Sequence, residues 1–248
     1  MKIAVISDLH ANPLAYNAVM NDINQFNPDK IFCLGDLILG GYDPDYICEK
    51  ILELKEKFKS NFEIIQGNTD KMVSNCTPEL IKKTIELFPP MGYSLENDIK
   101  ITNKKYLDFV RELDEKKTLT INNVKIELVH GSPRNQSENI YPNLDINAVE
   151  EMTADSDADI ILCGHTHIPC GYSLNSGKTV INVGSVGRSM TDDKMPVYLQ
   201  LTIDKEGKFF VEHRIVKYDN LAAQKNILAR KLNHIEDLAK MYVCDNIK

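Results

Sequence analysis

The chain has no Cys-x-x-Cys pair, no excess of positive charge, no long apolar run and no Gly/Ser-rich linker. Its six cysteines (Cys33, Cys48, Cys76, Cys163, Cys170 and Cys244) are scattered, which argues against a structural zinc site. In a chain of 248 residues they read as reduced thiols, several of them core residues. The balance of 29 Lys+Arg against 36 Asp+Glu gives −7, so no uniform positive field exists to hold a nucleic-acid backbone. Non-specific nucleic-acid binding is therefore not expected. No stretch approaches the roughly 18–20 apolar residues of a membrane span. The opening run from Ile3 is cut off at Asp8, shorter than a secretory signal requires, so the expectation is a soluble, cytoplasmic protein with no membrane partner. Apolar residues at 43% and charged residues at 26% exclude collagen-like and disordered chains. With no internal repeat, one domain over 1–248 is the expected count.

The first third alternates. Lys2–Ile6 reads as a strand, 13–25 as a helix opened by Asn12-Pro13, and Lys30–Leu34 as a second strand. Pro44–Phe58 carries Ile47, Ile51, Leu54 and Phe58 at helical spacing, and Phe62–Gln66 reads as a third strand. A βαβαβ rhythm of this kind builds a parallel sheet with helices on its faces and gathers active groups where strands end. From 77 to 116 the pattern is helical, an insertion with the potential to cap the site and select substrate. Strands return at Thr118–Ile121 and Val124–Val129 around an Asn122-Asn123 turn, then at Ile160–Cys163, 171–174, 178–183, 196–203 and 208–217. Two helices, 219–231 and 234–243, close the chain, so 219–248 forms a C-terminal helical segment. The run from Gly171 to Thr179 imitates a phosphate-binding loop, but it has five residues between its glycines and joins two strands, so a hairpin is expected.

Five short segments each follow an apolar strand: Asp8-Leu9-His10, Gly35-Asp36, Gly67-Asn68-Thr69-Asp70, His130-Gly131 and Gly164-His165-Thr166-His167. Four of the six histidines fall in them, which chance placement does not favour. In extended backbone, residues i and i+2 point the same way, so Asp8 with His10 and His165 with His167 are each expected to present two donors together. Carboxylate and imidazole suit Mn, Fe, Ni or Zn. Two divalent ions against Asp8, Asp36 and a bridging hydroxide leave a centre of about +1, suited to an anionic phosphoryl group attacked in line. Alone, Asp-x-His reads as a turn or solvated loop, Gly35-Asp36 as a strand-to-turn junction and His130-Gly131 as a satisfied strand-end histidine. Gly164-His165-Thr166-His167 is the stronger signal, since imidazoles paired at i and i+2 seldom follow a buried strand for packing reasons. The order and strand-end context of all five carry the inference.

The five segments resemble the motif series of the calcineurin-like metallophosphoesterases: Asp-x-His, Gly-Asp, Gly-Asn-His-Asp/Glu, a His-Gly pair, then Gly-His-x-His. The run Asn182-Val183-Gly184-Ser185-Val186-Gly187-Arg188 is similar to a Gly-Ser loop of small prokaryotic members. The resemblance implies an α/β fold, a four-layered αββα sandwich of two mixed sheets flanked by helices. It further implies that Asp8, His10, Asp36 and His167 hold one divalent ion, with Asp36 bridging to a second held by Asn68, His130 and His165. Asn68, Asp36 and His130 would serve catalysis, Asn68 also contacting phosphate at a helix N-terminus. Arg134 and Arg188 would bind phosphate oxygens. One departure is Thr69, which stands where many members have histidine and cannot deliver a proton near neutral pH. Asp70 reads as a first-turn helix stabiliser. The implied activity is hydrolysis of phosphodiesters or phosphomonoesters, of a small molecule, by a metal-bridging hydroxide. The alternatives are a non-catalytic metal-binding scaffold of the same fold and a serine/threonine protein phosphatase.

Overall fold

Alternation along the strands sets the layers. The computed structural model describes residues 1–244. In chain order the elements are β1 (Lys2–Ile6), α1 (Pro13–Phe26), β2 (Lys30–Cys33), α2 (Pro44–Phe58), β3 (Phe62–Ile64), α3 (Asn68–Ser74), α4 (Pro78–Leu87), α5 (Pro89–Ile101) and α6 (Lys104–Arg111). There follow β4 (Lys116–Ile121), β5 (Val124–Val129), α7 (Ile146–Met152), β6 (Ile160–Cys163), β7 (Cys170–Ser173), β8 (Thr179–Asn182), β9 (Val197–Ile203), β10 (Phe209–Ile215), α8 (Asn220–Leu228) and α9 (Ile235–Lys240).

One five-stranded sheet runs β10-β9-β1-β2-β3 and the other β4-β5-β6-β8-β7. Each is mixed: β1-β2-β3 and β5-β6-β8 are parallel, and the flanking strands are antiparallel. Ile3 and Val5 of β1 face Ile126, Leu128, Ile160 and Leu162 of the second sheet in one apolar layer. Ala4 and Ile6 point the other way, into a core shared with α1 and α2, while Val129, Ile161 and Cys163 pack under α7. Period-2 side-chain alternation between two apolar layers thus produces the expected helix–sheet–sheet–helix sandwich.

The opening βαβαβ unit and both hairpins agree with the pattern read from sequence. Asn122 and Asn123 take φ of 49° and 64°, the left-handed pair of a tight hairpin turn, and β7 pairs antiparallel with β8, as expected of a hairpin. The helix α7 has no counterpart in that pattern; its seven residues, capped by Asp145, supply too few apolar positions to show a period. The strand β3 stops at Ile64 and β4 begins at Lys116, two residues from the expected bounds in each case. Residues 77–116 do form helices, but they are not a detached cap. Although α4 buries no residue, α5 and α6 insert Met91, Leu95, Tyr106 and Val110 into the same core as β1 and β2. The C-terminal helices are α8 and α9, and residues 245–248 of the expected segment lie outside the described residues.

Candidate metal centre

The parallel register aligns the strand ends. Ile6 pairs with Cys33 and Cys33 with Ile64, so the loops after β1, β2 and β3 leave side by side. Asp8 N–H then donates to Gly35 O at 3.0 Å and His10 N–H to Asp36 O at 2.9 Å. From the second sheet, Gly164 N–H donates to His130 O at 2.8 Å, joining the loops after β5 and β6. The ligand-type residues are not in the extended backbone expected of i, i+2 pairs. Asp8 (φ 55°), His10 (φ 43°), Asp36 (φ 55°), His165 (φ 69°) and His167 (φ 62°) all lie in the left-handed region. Such conformations are costly for side-chain-bearing residues, and they gather where a site over-determines them.

The side chains converge. Asp8 Oδ1 lies 3.1 Å from His167 Nε2, 3.7 Å from His10 Nε2 and 3.8 Å from His130 Nε2. Asp36 Oδ2 lies 3.3 Å from His130 Nε2 and 3.7 Å from His10 Nε2. His165 Nδ1 meets Asn68 Oδ1 at 2.8 Å on the half-buried rim. Asp8, His10, Asp36 and His167, all buried, offer donor atoms within 4.8 Å of one another, a group able to hold a metal ion.

Three imidazoles are fixed from behind. Nδ1 of His10 bonds Leu39 O at 2.8 Å, Nδ1 of His130 bonds Leu34 O at 2.7 Å, and Nδ1 of His167 bonds Arg188 O at 2.7 Å. A carbonyl can only accept, so each Nδ1 carries the hydrogen, and each ring in its neutral form turns a lone pair at Nε2 toward the cluster. His10 Nε2 and His167 Nε2 then face each other at 3.0 Å. Asp8 Oδ1 and His130 Nε2 are buried with no hydrogen-bond partner among the described residues. Acceptors facing acceptors in a dry site are stable only around positive charge, so the residues present fit a divalent cation.

A model of the calcineurin-like phosphoesterase superfamily domain matches residues 1–206. The chain belongs to that superfamily. The calcineurin-like fold is shared with a hypothetical protein of Pyrococcus horikoshii, PH1004, at a TM-score of 0.87 with 20% identity and 98% of each chain covered. It is shared also with a metallophosphoesterase of Sphaerobacter thermophilus at 0.75, with 22% identity and 98% of each chain covered. In sequence the chain is 31% identical to an uncharacterized protein of Methanocaldococcus jannaschii, MJ0912, over 93% of both.

The calcineurin-like motif residues share an electrostatic setting. Burial opposes ionisation of Asp36 and Asp8, but the facing imidazoles outweigh it: Asp36 is held down to about 2 and Asp8 well below the carboxylate range. Burial likewise disfavours a charged His130, yet Asp36 and Asp8 raise it to about 10. His10 falls to about 4 because it is buried and Arg188 stands near it. Each carboxylate has one oxygen tied to the protein: Asp8 Oδ2 accepts from Ser7 Oγ at 2.6 Å and His165 N at 3.1 Å, and Asp36 Oδ1 accepts from Thr69 N at 2.8 Å. Gly67 makes room for this, since a Cβ there would stand 2.1 Å from Asp36 Oδ1.

Two further residues matter that the motif reading left without a role or named only in part. Asp70 is fully buried; Oδ2 accepts N–H of Asp36 at 2.8 Å and of Gly67 at 3.1 Å, and Oδ1 that of Leu37 at 2.9 Å and of Ile38 at 3.3 Å. It is the first-turn stabiliser expected, through Gly67, and it also moulds the Asp36 loop. Thr69 donates its hydroxyl to Ile38 O at 3.2 Å. Of the two arginines, exposed Arg134 is engaged by Glu138 (2.7 Å) and Glu151 (3.4 Å). With His130, Ser132 and Asn135 it lines a cavity of about 220 Å³. Arg188 has no carboxylate partner among the described residues; its Nη1 rests 3.1 Å from Met91 Sδ.

Proposed function

We propose that the protein is a dinuclear-metal-dependent phosphoesterase that hydrolyses phosphodiesters or phosphomonoesters of small molecules. One observation carries the reading: Asp8 Oδ1 and His130 Nε2 are buried without hydrogen-bond partners among the described residues, while His10 and His167 aim Nε2 at the same space. Asp8, His10, Asp36 and His167 would hold one ion, and Asp36, Asn68, His130 and His165 the second; Mn, Fe, Ni and Zn all suit these donors. Bound there, the ions supply an acidified water and a positive clamp for phosphoryl oxygens.

The chain's own residues do the rest. Asp36 Oδ2, within reach of both His10 and His130, is the atom suited to sharing. Leu39, Leu34 and Arg188 carbonyls hold the Nδ1 hydrogens and so fix the tautomer that presents Nε2, while His130, raised to about 10 by Asp36 and Asp8, must first lose its Nε2 proton. Asn68, half-buried at the mouth, offers its amide to a phosphoryl oxygen, and Arg188 offers a bidentate guanidinium. Arg134 would have to leave Glu138 to do the same. With threonine at 69, departure of the leaving group depends on its own acidity. We take 1–248 as one domain working in the cytoplasm, a setting supported by the six unpaired thiols.

The test is hydrolysis of bis-p-nitrophenyl phosphate beside p-nitrophenyl phosphate by metal-stripped protein re-supplied in turn with Mn²⁺, Ni²⁺, Zn²⁺, Fe²⁺ and Mg²⁺. Turnover should return with metal and vanish in Asp36→Asn. No turnover with any metal, in protein shown to bind two ions, would replace this reading with that of a scaffold.

A further inference from the structure

Two segments far apart in sequence, the insertion and the C-terminal helices, meet at one buried ion pair. Arg230, just after α8, places Nη2 2.5 Å from Asp98 Oδ1 on α5, with the side chains 7% and 1% exposed. Arg230 also donates to Asn97 Oδ1 at 2.9 Å and Ser94 Oγ at 3.2 Å, and Ser94 Oγ donates to Asp98 Oδ2 at 3.0 Å. Both charged partners hold the Gly40-Gly41 loop: Asp98 Oδ2 accepts Gly40 N–H at 3.1 Å and Arg230 Nη1 donates to Gly41 O. Tyr242 adds a hydroxyl bond to Gly40 O at 2.7 Å.

That loop adjoins the metal centre on one side only. The preceding residue, Leu39, gives its carbonyl to His10 Nδ1. Gly40 lies at φ +92°, and a Cβ on it would stand 2.8 Å from Arg188 Nη1. His130 is held instead by Leu34 O, to which neither Asp98 nor Arg230 bonds. A buried ion pair is no more stabilising than an apolar pair of the same shape, but the guanidinium fork fixes direction in a way apolar contact does not.

We propose that Asp98 and Arg230 are a positioning pair for the His10 side of the metal centre, acting through Gly40-Gly41 and the Leu39 carbonyl. The inference rests on the metal-centre reading above, but its first readout needs neither metal nor turnover. In the metal-free full-length chain, the Nδ1–H protons of His10, His130 and His167 should give separate downfield imidazole resonances, assigned by their loss in single His→Gln variants. Arg230→Lys keeps the charge and loses the fork; Asp98→Asn with Arg230→Met removes both charges together. In each, the His10 resonance should shift while that of His130 stays. Zn²⁺ calorimetry should show one equivalent weakened about tenfold and the other unchanged, the scale expected for a group supporting a ligand. An unmoved His10 resonance in Arg230→Lys, or a change spread equally over His10 and His130, overturns the proposal. Absent turnover on phosphate esters would leave both readouts standing, so the two readings fail separately.

Discussion

Asp70 and Asp36 are linked reciprocally through backbone: Asp70 Oδ2 accepts the Asp36 N–H at 2.8 Å, and Asp36 Oδ1 accepts the N–H of Thr69, the residue before Asp70, at 2.8 Å. The first turn of α3 and the loop after β2 therefore set each other's geometry. In Asp70→Asn the amide NH₂ replaces an oxygen that accepts two of the four backbone donors, leaving buried groups unsatisfied at a cost of about 1–3 kcal/mol each. We expect a lower urea midpoint and metal affinity reduced about tenfold or more. Calorimetric titration of the stripped variant checks this, and wild-type affinity would refute it.

The Asp36–His130 contact should stabilise the metal-free protein most between about pH 4 and 6.5. Across that window His10, lowered to about 4, and Asp70, raised to about 7 by burial and by Asp36, change in opposite senses, the first losing its contribution as pH falls and the second as pH rises. Asp36, held down to about 2, and His130, raised to about 10, are two sides of one contact at 3.3 Å and count once. The Asp36 contribution is present above the unfolded carboxylate value and is lost as pH falls toward 2. The His130 contribution is full below the unfolded imidazole value of about 6.5 and is lost as pH rises through about 10. Urea midpoints of chelator-treated protein across this range should fall on both flanks, and Asp36→Asn should flatten them. Because His130 must shed a proton to offer Nε2, metal uptake at pH 7.5 should release protons, read from calorimetry in buffers of different ionisation enthalpy.

The hydroxyl of Thr69 is turned to Ile38 O and no imidazole stands in its place. Rates across a series of aryl phosphates should therefore depend steeply on leaving-group pKa. A flat series would contradict the reading.

Arg188 and Arg134 should separate kinetically. Arg188 has no carboxylate partner among the described residues to give up, whereas Arg134 is bound by Glu138 and Glu151. Arg188→Ala should raise KM for phosphate esters several-fold and Arg134→Ala much less; equal effects would mean that Arg134 leaves Glu138 on binding.

Much of the architecture was legible because it is local or periodic. The strand-helix alternation of residues 2–64, the asparagine hairpin and the five ligand segments each announce themselves within about twenty residues. The helix α7 was not legible, since seven residues hold less than two full turns of pattern. Nor were the backbone angles at Asp8, His10 and His167, because a left-handed residue at a strand end is imposed by its neighbours rather than by its own propensity.

By itself the sequence determined which donor types stand at which strand ends, and hence the chemistry they can share. Only the tertiary structure decided which atoms face the common space, which carbonyls from Leu34, Leu39 and Arg188 orient the rings, and that Asp70 moulds the Asp36 loop. It also decided that Arg134 is paired with Glu138 while Arg188 rests on Met91 Sδ, and that α5 and α6 belong to the main core. The physical reason is range. Donor type and periodicity are properties of short stretches, whereas each of these contacts joins residues brought together only by sheet register and helix packing.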